Sequence, residues 1–90
     1  MIDIKDISRA YFIGIGGIGM SALARYFKTQ GKLVSGYDRT RTELTKQLEE
    51  EGIAVHYSDS VDQAPKDAGL VVYTPAIPKD FGELVYFCLL

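Results

Sequence analysis

The sequence predicts an α/β domain built on a Rossmann-like parallel sheet with flanking helices, and three observations indicate this class. Strand-like apolar segments alternate with helix-like segments along the 90 residues. The first apolar segment runs directly into a glycine-rich turn that opens a helix. Right-handed crossovers between parallel strands then give the spatial order 3-2-1-4. Because a complete doubly wound sheet has more than about four strands, we expect a partial sheet.

Hydrophobic spacing predicts the first three elements. Residues 11–15 form a continuous apolar run, which is typical of a strand buried on both faces of a parallel sheet. From residue 18 to residue 30 the apolar side chains recur at helical spacing, and Gly31 stands where a left-handed residue would end the helix. Residues 33–37 are then predicted to form the second strand.

The second helix has two candidate N-caps. Thr40 begins a stretch with capping-box spacing, and Thr42 is an equally good cap. Leu44 and Leu48 lie one turn apart on the apolar face of this helix, and Gly52 is expected to end it.

The rest of the chain is predicted to complete a four-stranded sheet. Residues 53–57 form a short third strand and residues 70–74 a fourth. The polar connection 58–69 has room for one helical turn, and residues 81–90 begin another helix.

The glycine-rich turn has the fingerprint of a diphosphate site. Gly14, Gly16 and Gly19 satisfy G-x-G-x-x-G directly after a strand and at the start of a helix, and Gly17 is an additional glycine. In such turns the first glycine permits a tight turn and the second lets the backbone approach a pyrophosphate. The third allows the helix to pack closely on the sheet. The alternative is a glycine-rich turn that binds nothing.

Asp38 adds a second element to this fingerprint. It ends the second predicted strand, 19 positions after Gly19, where such folds place a carboxylate on a ribose hydroxyl. An exposed turn aspartate contributes little to stability, so we expect Asp38 to bind ligand rather than to stabilise the fold. Together, the glycines and Asp38 indicate a ligand with a ribose and a diphosphate. Dinucleotides such as NAD and nucleotide-diphosphate sugars both fit.

Composition argues against several other classes of function. The net charge of −2 gives no broad cationic surface for nucleic acid, and no apolar run approaches the length of about 20 residues that spans a membrane. The single cysteine, Cys88, suggests a reducing cytoplasm, and we expect it to be a buried small hydrophobe. His56 is the only histidine and is expected to be structural, so we predict no metal site and no catalytic residues.

Four segments of the chain resemble the N-terminal domain of the Mur ligases. They are "GIGGIGMSALA" at 14–24, "VSGYD" at 34–38, "TELTKQLEEEGIAV" at 42–55 and "VVYTPAIP" at 71–78. The resemblance covers residues 11 to about 84. Mur ligases that recycle muropeptides carry a cysteine inside the glycine turn, where this chain has Gly16 and Gly17, so the resemblance favours a biosynthetic member.

The resemblance implies that the domain binds the UDP part of UDP-N-acetylmuramic acid, with the diphosphate at the glycine turn. It implies that the backbone of residues 16–20 contacts the diphosphate, with Ser21 as a hydroxyl contact and Asp38 at the uridine. Thr74 would lie at the strand exit, where it could equally be a plain strand-end residue. The implied substrate-binding residues are Gly14, Gly16, Gly17, Ile18, Gly19, Met20, Ser21, Asp38 and Thr74.

The resemblance also implies what lies outside this chain. No G-x-x-x-x-G-K-[ST] phosphate loop occurs in the 90 residues. ATP and Mg²⁺ would therefore bind in a separate central domain, and a C-terminal domain would bind the amino acid. We expect residues 1–90 to be one truncated UDP-sugar-binding domain of an ATP-dependent, amide-forming ligase, unable to catalyse ligation alone. The alternatives are an NAD(P)- or FAD-binding fragment of an oxidoreductase and a nucleotide-sensing module.

Overall fold

A computed structural model of the chain describes residues 4–59, 61–74, 77 and 81–88. These residues form a four-stranded parallel sheet in the order β3-β2-β1-β4, which confirms the predicted order and fold class. The strands are β1 (Arg9–Ile13), β2 (Leu33–Tyr37), β3 (Ala54–His56) and β4 (Leu70–Tyr73). The helices are α1 (Ile18–Thr29), α2 (Glu43–Glu50) and α3 (Gly82–Cys88), with 3-10 turns at Ile4–Asp6 and Val61–Gln63.

Strand β2 has the predicted bounds, whereas β1 begins and ends two residues earlier than predicted. The earlier end of β1 has a local cause. The backbone N–H groups of Gly14 and Ile15 both donate to the carbonyl of Tyr37, at 2.8 and 2.9 Å. Two donors converging on one carbonyl are incompatible with a continued ladder, so the turn begins at Gly14.

The predicted helix ends are confirmed. Gly31 and Gly52 have φ values of +80° and +92°, the left-handed conformation that glycine adopts without strain. Of the two candidate caps, Thr42 is the N-cap of α2. Its hydroxyl accepts from the Thr45 N–H, and the Thr45 hydroxyl accepts from the Thr42 N–H.

One face of the sheet packs against α1 and α2 and forms the larger core. Phe12 of β1 lies among side chains from both helices, including Phe27 and Leu48. Gly36 of β2 lets this layer close tightly, because a Cβ there would lie 2.6 Å from the Phe12 carbonyl oxygen and 2.7 Å from the Ile15 side chain.

The opposite face of the sheet carries a second core. Tyr11, Ile13 and Tyr37 are buried on this face, and Ile77 and Phe81 pack against them. The Tyr37 and Phe81 rings lie 4.6 Å apart. This packing holds Ile77 and Phe81 close to the carboxyl ends of β1 and β2. Within the described residues, no helix has the length and apolar character needed to cross a membrane.

Candidate functional site

The carboxyl ends of β1, β2 and β4 surround a groove of about 320 Å³. Ligands of open α/β sheets bind at this edge, where the strand order reverses on the two sides of the first strand. The groove is lined by Gly14, Gly17, Asp38, Arg39, Thr74 and Ile77. Four of the predicted site positions outside the helix, Gly14, Gly17, Asp38 and Thr74, are therefore brought together.

Gly14 makes the tight turn expected of the first glycine. Its φ of +96° is strained for any residue with a side chain, and a Cβ here would lie 2.5 Å from the methyl carbon of Thr74. The turn therefore brings the end of β1 into direct contact with the exit of β4. Thr74 is half-buried at this contact, and its role in ligand binding stays a prediction.

Gly16 lies against Asp38. Its backbone N–H donates to Asp38 Oδ2 at 2.7 Å, and a Cβ on Gly16 would lie 2.6 Å from that same oxygen. The Gly16 backbone is not left-handed. A side chain is therefore excluded here by the Asp38 carboxylate and by Thr45, whose methyl carbon would lie 3.0 Å away. The predicted contact between the Gly16 N–H and a diphosphate stays a prediction.

Asp38 accepts hydrogen bonds from two backbone segments, which argues against the expectation that it contributes little to the fold. Its second carboxylate oxygen, Oδ1, accepts from the Thr40 N–H at 3.2 Å. The carboxylate thus joins the end of β2 to the turn after β1, through two backbone donors on different segments. The predicted contact with uridine is untested and stays a prediction.

The N-terminus of α1 leaves backbone donors beside the groove. Gly17 is its N-cap and supplies no side-chain cap. The first helical bond runs from the Ser21 N–H to the Gly17 carbonyl at 2.8 Å. Within the described residues, the N–H groups of Ile18, Gly19 and Met20 donate to no acceptor. Together with the helix dipole, such groups favour an anion.

The predicted packing role of Gly19 is wrong. A Cβ on Gly19 would meet no atom within 4 Å, so its lack of a side chain does not serve helix–sheet packing. Ala24 and Phe27, further along α1, provide the buried contacts with the sheet. A helical glycine costs about 1 kcal/mol relative to alanine, and no neighbouring atom requires glycine at this position. The contact of Gly19 with a ligand stays a prediction.

The hydroxyl of Ser21 is engaged within its own helix. Ser21 is 2% exposed, and its Oγ donates to the Ile18 carbonyl at 2.9 Å. Its assignment as a ligand contact stays a prediction, and the geometry gives it a local role at the start of α1. In contrast, Ile18 is 86% exposed beside the same turn.

Two residues of the groove, Arg39 and Ile77, are absent from the sequence-based assignment. Arg39 directly follows Asp38, so a cation adjacent to the predicted ribose-binding carboxylate was a usable signal. Ile77 had no comparable signal, because its place at the groove depends on its packing against the core on the second face of the sheet.

A buried polar cluster joins three elements that are distant in sequence. The Tyr11 hydroxyl donates to Oε1 of Glu83, whose side chain is fully buried at the start of α3. His56 Nε2 lies 2.8 Å from Glu83 Oε2 and 3.1 Å from the Tyr11 oxygen. Burial, and then the Glu83 carboxylate, raise the pKa of Tyr11 above its ordinary value. The cluster gives His56 a structural role.

Two further findings concern other site types. A groove of about 410 Å³ lies at the start of β3, but among the described residues that line it the one charged side chain is that of Glu49, which disfavours an anionic ligand. Within residues 4–59, 61–74, 77 and 81–88, no group of three or more His, Cys, Asp or Glu side chains is arranged to hold a metal ion. The side chain of Cys88 lies outside the described residues.

Comparison with known proteins identifies the family. Residues 9–89 match the model of the family described as "Mur ligase family, catalytic domain". The chain belongs to the Mur ligase family. The match extends to residue 89, so the family resemblance does not end near residue 84 as the sequence indicated.

Curated members of the Mur ligase family show strong similarity to the chain. It is 56% identical over 90 residues to the UDP-N-acetylmuramate–L-alanine ligase of Flavobacterium psychrophilum, covering 96% of this chain and 20% of that ligase. The same-named ligase of Cytophaga hutchinsonii is 55% identical over 91 residues, with the same coverage. The chain therefore spans about a fifth of the length of these relatives.

Solved Mur ligase structures share the fold. The UDP-N-acetylmuramate–alanine ligase of Thermotoga maritima superposes with a TM-score of 0.84 at 38% identity, covering 90% of this chain and 19% of that one. A murein peptide ligase of Psychrobacter arcticus superposes with a TM-score of 0.79 at 23% identity, covering 90% and 17%. At that identity, the second likeness shows the fold alone.

Proposed function

We propose that this domain binds the UDP end of UDP-N-acetylmuramate for an ATP-dependent ligase that joins L-alanine to the muramic acid in bacterial peptidoglycan synthesis. The names of the relatives that match at 55 and 56% identity support this substrate and this amino acid. The proposed protein is a longer, cytoplasmic enzyme, and its partners are the UDP-sugar and its own remaining domains rather than nucleic acid or membrane.

The observation that carries the proposal is the uncapped N-terminus of α1 at the edge of the groove. Three consecutive N–H groups, on Ile18, Gly19 and Met20, are available there to a bound anion. A diphosphate carries at least two negative charges and several acceptor oxygens, so it satisfies these donors and interacts favourably with the helix dipole. In this arrangement the nucleoside lies along the groove toward Asp38 and Thr74.

The domain's contribution to the reaction is binding and orientation. In the proposed enzyme, ATP activates the muramic acid carboxylate as an acyl phosphate, and the L-alanine amino group attacks it. ATP and Mg²⁺ are assigned to another part of the longer protein, since no G-x-x-x-x-G-K-[ST] loop occurs in these 90 residues. Binding energy at the remote UDP group then holds the reacting carboxylate in place for that domain.

Replacing Gly19 with glutamate tests the proposed site. The fold has open space at this position, glutamate forms helix better than glycine, and a carboxylate in the first turn is favoured by the helix dipole. We therefore expect the free energy of unfolding to rise by about 1 kcal/mol in urea titrations. The same charge repels the diphosphate, so UDP affinity in isothermal titration calorimetry should fall about tenfold or more.

The matched control is Gln47→Glu, which adds the same charge at an exposed position of α2. This control should leave UDP affinity unchanged. Equal UDP affinity in Gly19→Glu and in the unmodified chain would show that the N-terminus of α1 is not the diphosphate site.

A further inference from the structure

The glycine turn carries a negative charge that opposes the ligand proposed for it. Asp38 Oδ2 accepts the Gly16 N–H at 2.7 Å, so a carboxylate from the end of β2 lies against the turn that would receive the diphosphate. The N-terminus of a helix carries only about half a positive charge. The turn and the helix alone therefore leave an uncompensated repulsion between Asp38 and a bound diphosphate.

Arg39 is the cation placed to offset this repulsion. Among the six described residues that line the groove, it is the only basic one. Its side chain is exposed and forms no ion pair within the described part of the chain. In contrast, the nearby Arg41 pairs with Glu49 at 3.3 Å.

The backbone places Arg39 at the groove by a specific local contact. Asp38 Oδ1 accepts the Thr40 N–H two residues on, which fixes the course of the chain between them. The same carboxylate that introduces the negative charge thus constrains the backbone on both sides of Arg39, which lines the groove. A guanidinium binds phosphate oxygens through two parallel hydrogen bonds and keeps its charge at every physiological pH.

We propose that Arg39 binds the diphosphate of the nucleotide and determines the preference of this groove for a charged nucleotide over its uncharged nucleoside. This inference rests on the proposed function and assigns a residue to it. It predicts that the contribution of Arg39 depends on the phosphates and decreases as salt screens the charges.

The test compares UDP with uridine in four proteins: the unmodified chain, Arg39→Gln, Arg39→Lys and the control Arg41→Gln. Ligand-detected NMR titrations at low and high salt measure both affinities. Arg39→Gln should bind UDP about tenfold more weakly, bind uridine unchanged, and show a smaller salt dependence. Arg39→Lys should recover part of the loss because it keeps the charge without the planar fork. Arg41→Gln should match the unmodified chain.

The possible failures of the two proposals are distinguishable. If the unmodified chain binds UDP and Arg39→Gln binds it equally well, the role of Arg39 is overturned while the UDP site stands. Equal losses for UDP and uridine would place Arg39 on the nucleoside instead and would also overturn the inference. If the unmodified chain binds no UDP, the proposed function fails, and the inference fails with it.

Discussion

Replacing Glu83 with alanine is expected to lower the free energy of unfolding by about 3 kcal/mol. Glu83 is fully buried and accepts the Tyr11 hydroxyl proton, and its second oxygen lies 2.8 Å from His56 Nε2. Alanine removes the acceptor that joins β1, β3 and α3 and leaves a cavity among polar groups. For a 90-residue domain of ordinary marginal stability, this is a large fraction of the total.

Urea unfolding followed by circular dichroism measures this loss. Glu83→Gln keeps the shape and one acceptor oxygen, so it should lose only about 1 kcal/mol. The control Glu50→Ala, at an exposed position of α2, should stay within about 0.5 kcal/mol of the unmodified chain. A loss for Glu83→Ala no larger than that of Glu50→Ala would show that the cluster does not stabilise the fold.

Replacing Asp38 with alanine is expected to affect both the fold and ligand binding. The Gly16 and Thr40 N–H groups lose their acceptor, so the free energy of unfolding should fall by about 2 kcal/mol. UDP affinity should fall by about ten- to a hundredfold, because the glycine turn loses its support and the uridine loses a proposed acceptor.

Thermal unfolding and calorimetric titration of UDP separate these two effects. Asp38→Asn keeps an acceptor for the Gly16 N–H and should retain most of the stability. The control Asp62→Ala changes an exposed aspartate in the 3-10 turn and should change neither quantity. Unchanged UDP affinity in Asp38→Ala would show that Asp38 shapes the turn but does not contribute to UDP binding. An unchanged free energy of unfolding would show that its two hydrogen bonds make no net contribution to stability.

Local patterns were sufficient to predict the architecture of this domain. The bounds of β2 and the left-handed glycines at 31 and 52 depend on neighbouring residues alone, and the structure has them as predicted. The sequence narrowed the N-cap of α2 to Thr40 or Thr42, and the structure has Thr42. The strand order follows from the handedness of βαβ crossovers. The end of β1 was misplaced because it is set by a bond from Gly14 to Tyr37, which is visible only once β1 and β2 are adjacent.

The fingerprint predicted where the groove lies, but it misassigned the reason for Gly19. At Gly16 the side chain is excluded by Asp38, and at Gly19 no neighbour excludes one. Both facts depend on distances between segments that are separated in sequence. The spacing of residues along the chain gives no information about these distances. The cluster of Tyr11, His56 and Glu83 was missed for the same reason, since up to 72 positions separate its members.

We propose that this groove recognises UDP rather than a dinucleotide, although both ligands share a ribose and a diphosphate. Calorimetric titration of one sample of the chain with UDP, UDP-N-acetylmuramate, NAD and FAD distinguishes the two ligand classes, because the rank order is informative even where every affinity is weak. We expect UDP and UDP-N-acetylmuramate to bind more tightly than NAD and FAD. A clear preference for NAD or FAD would contradict the assignment of this domain to a UDP-sugar ligase.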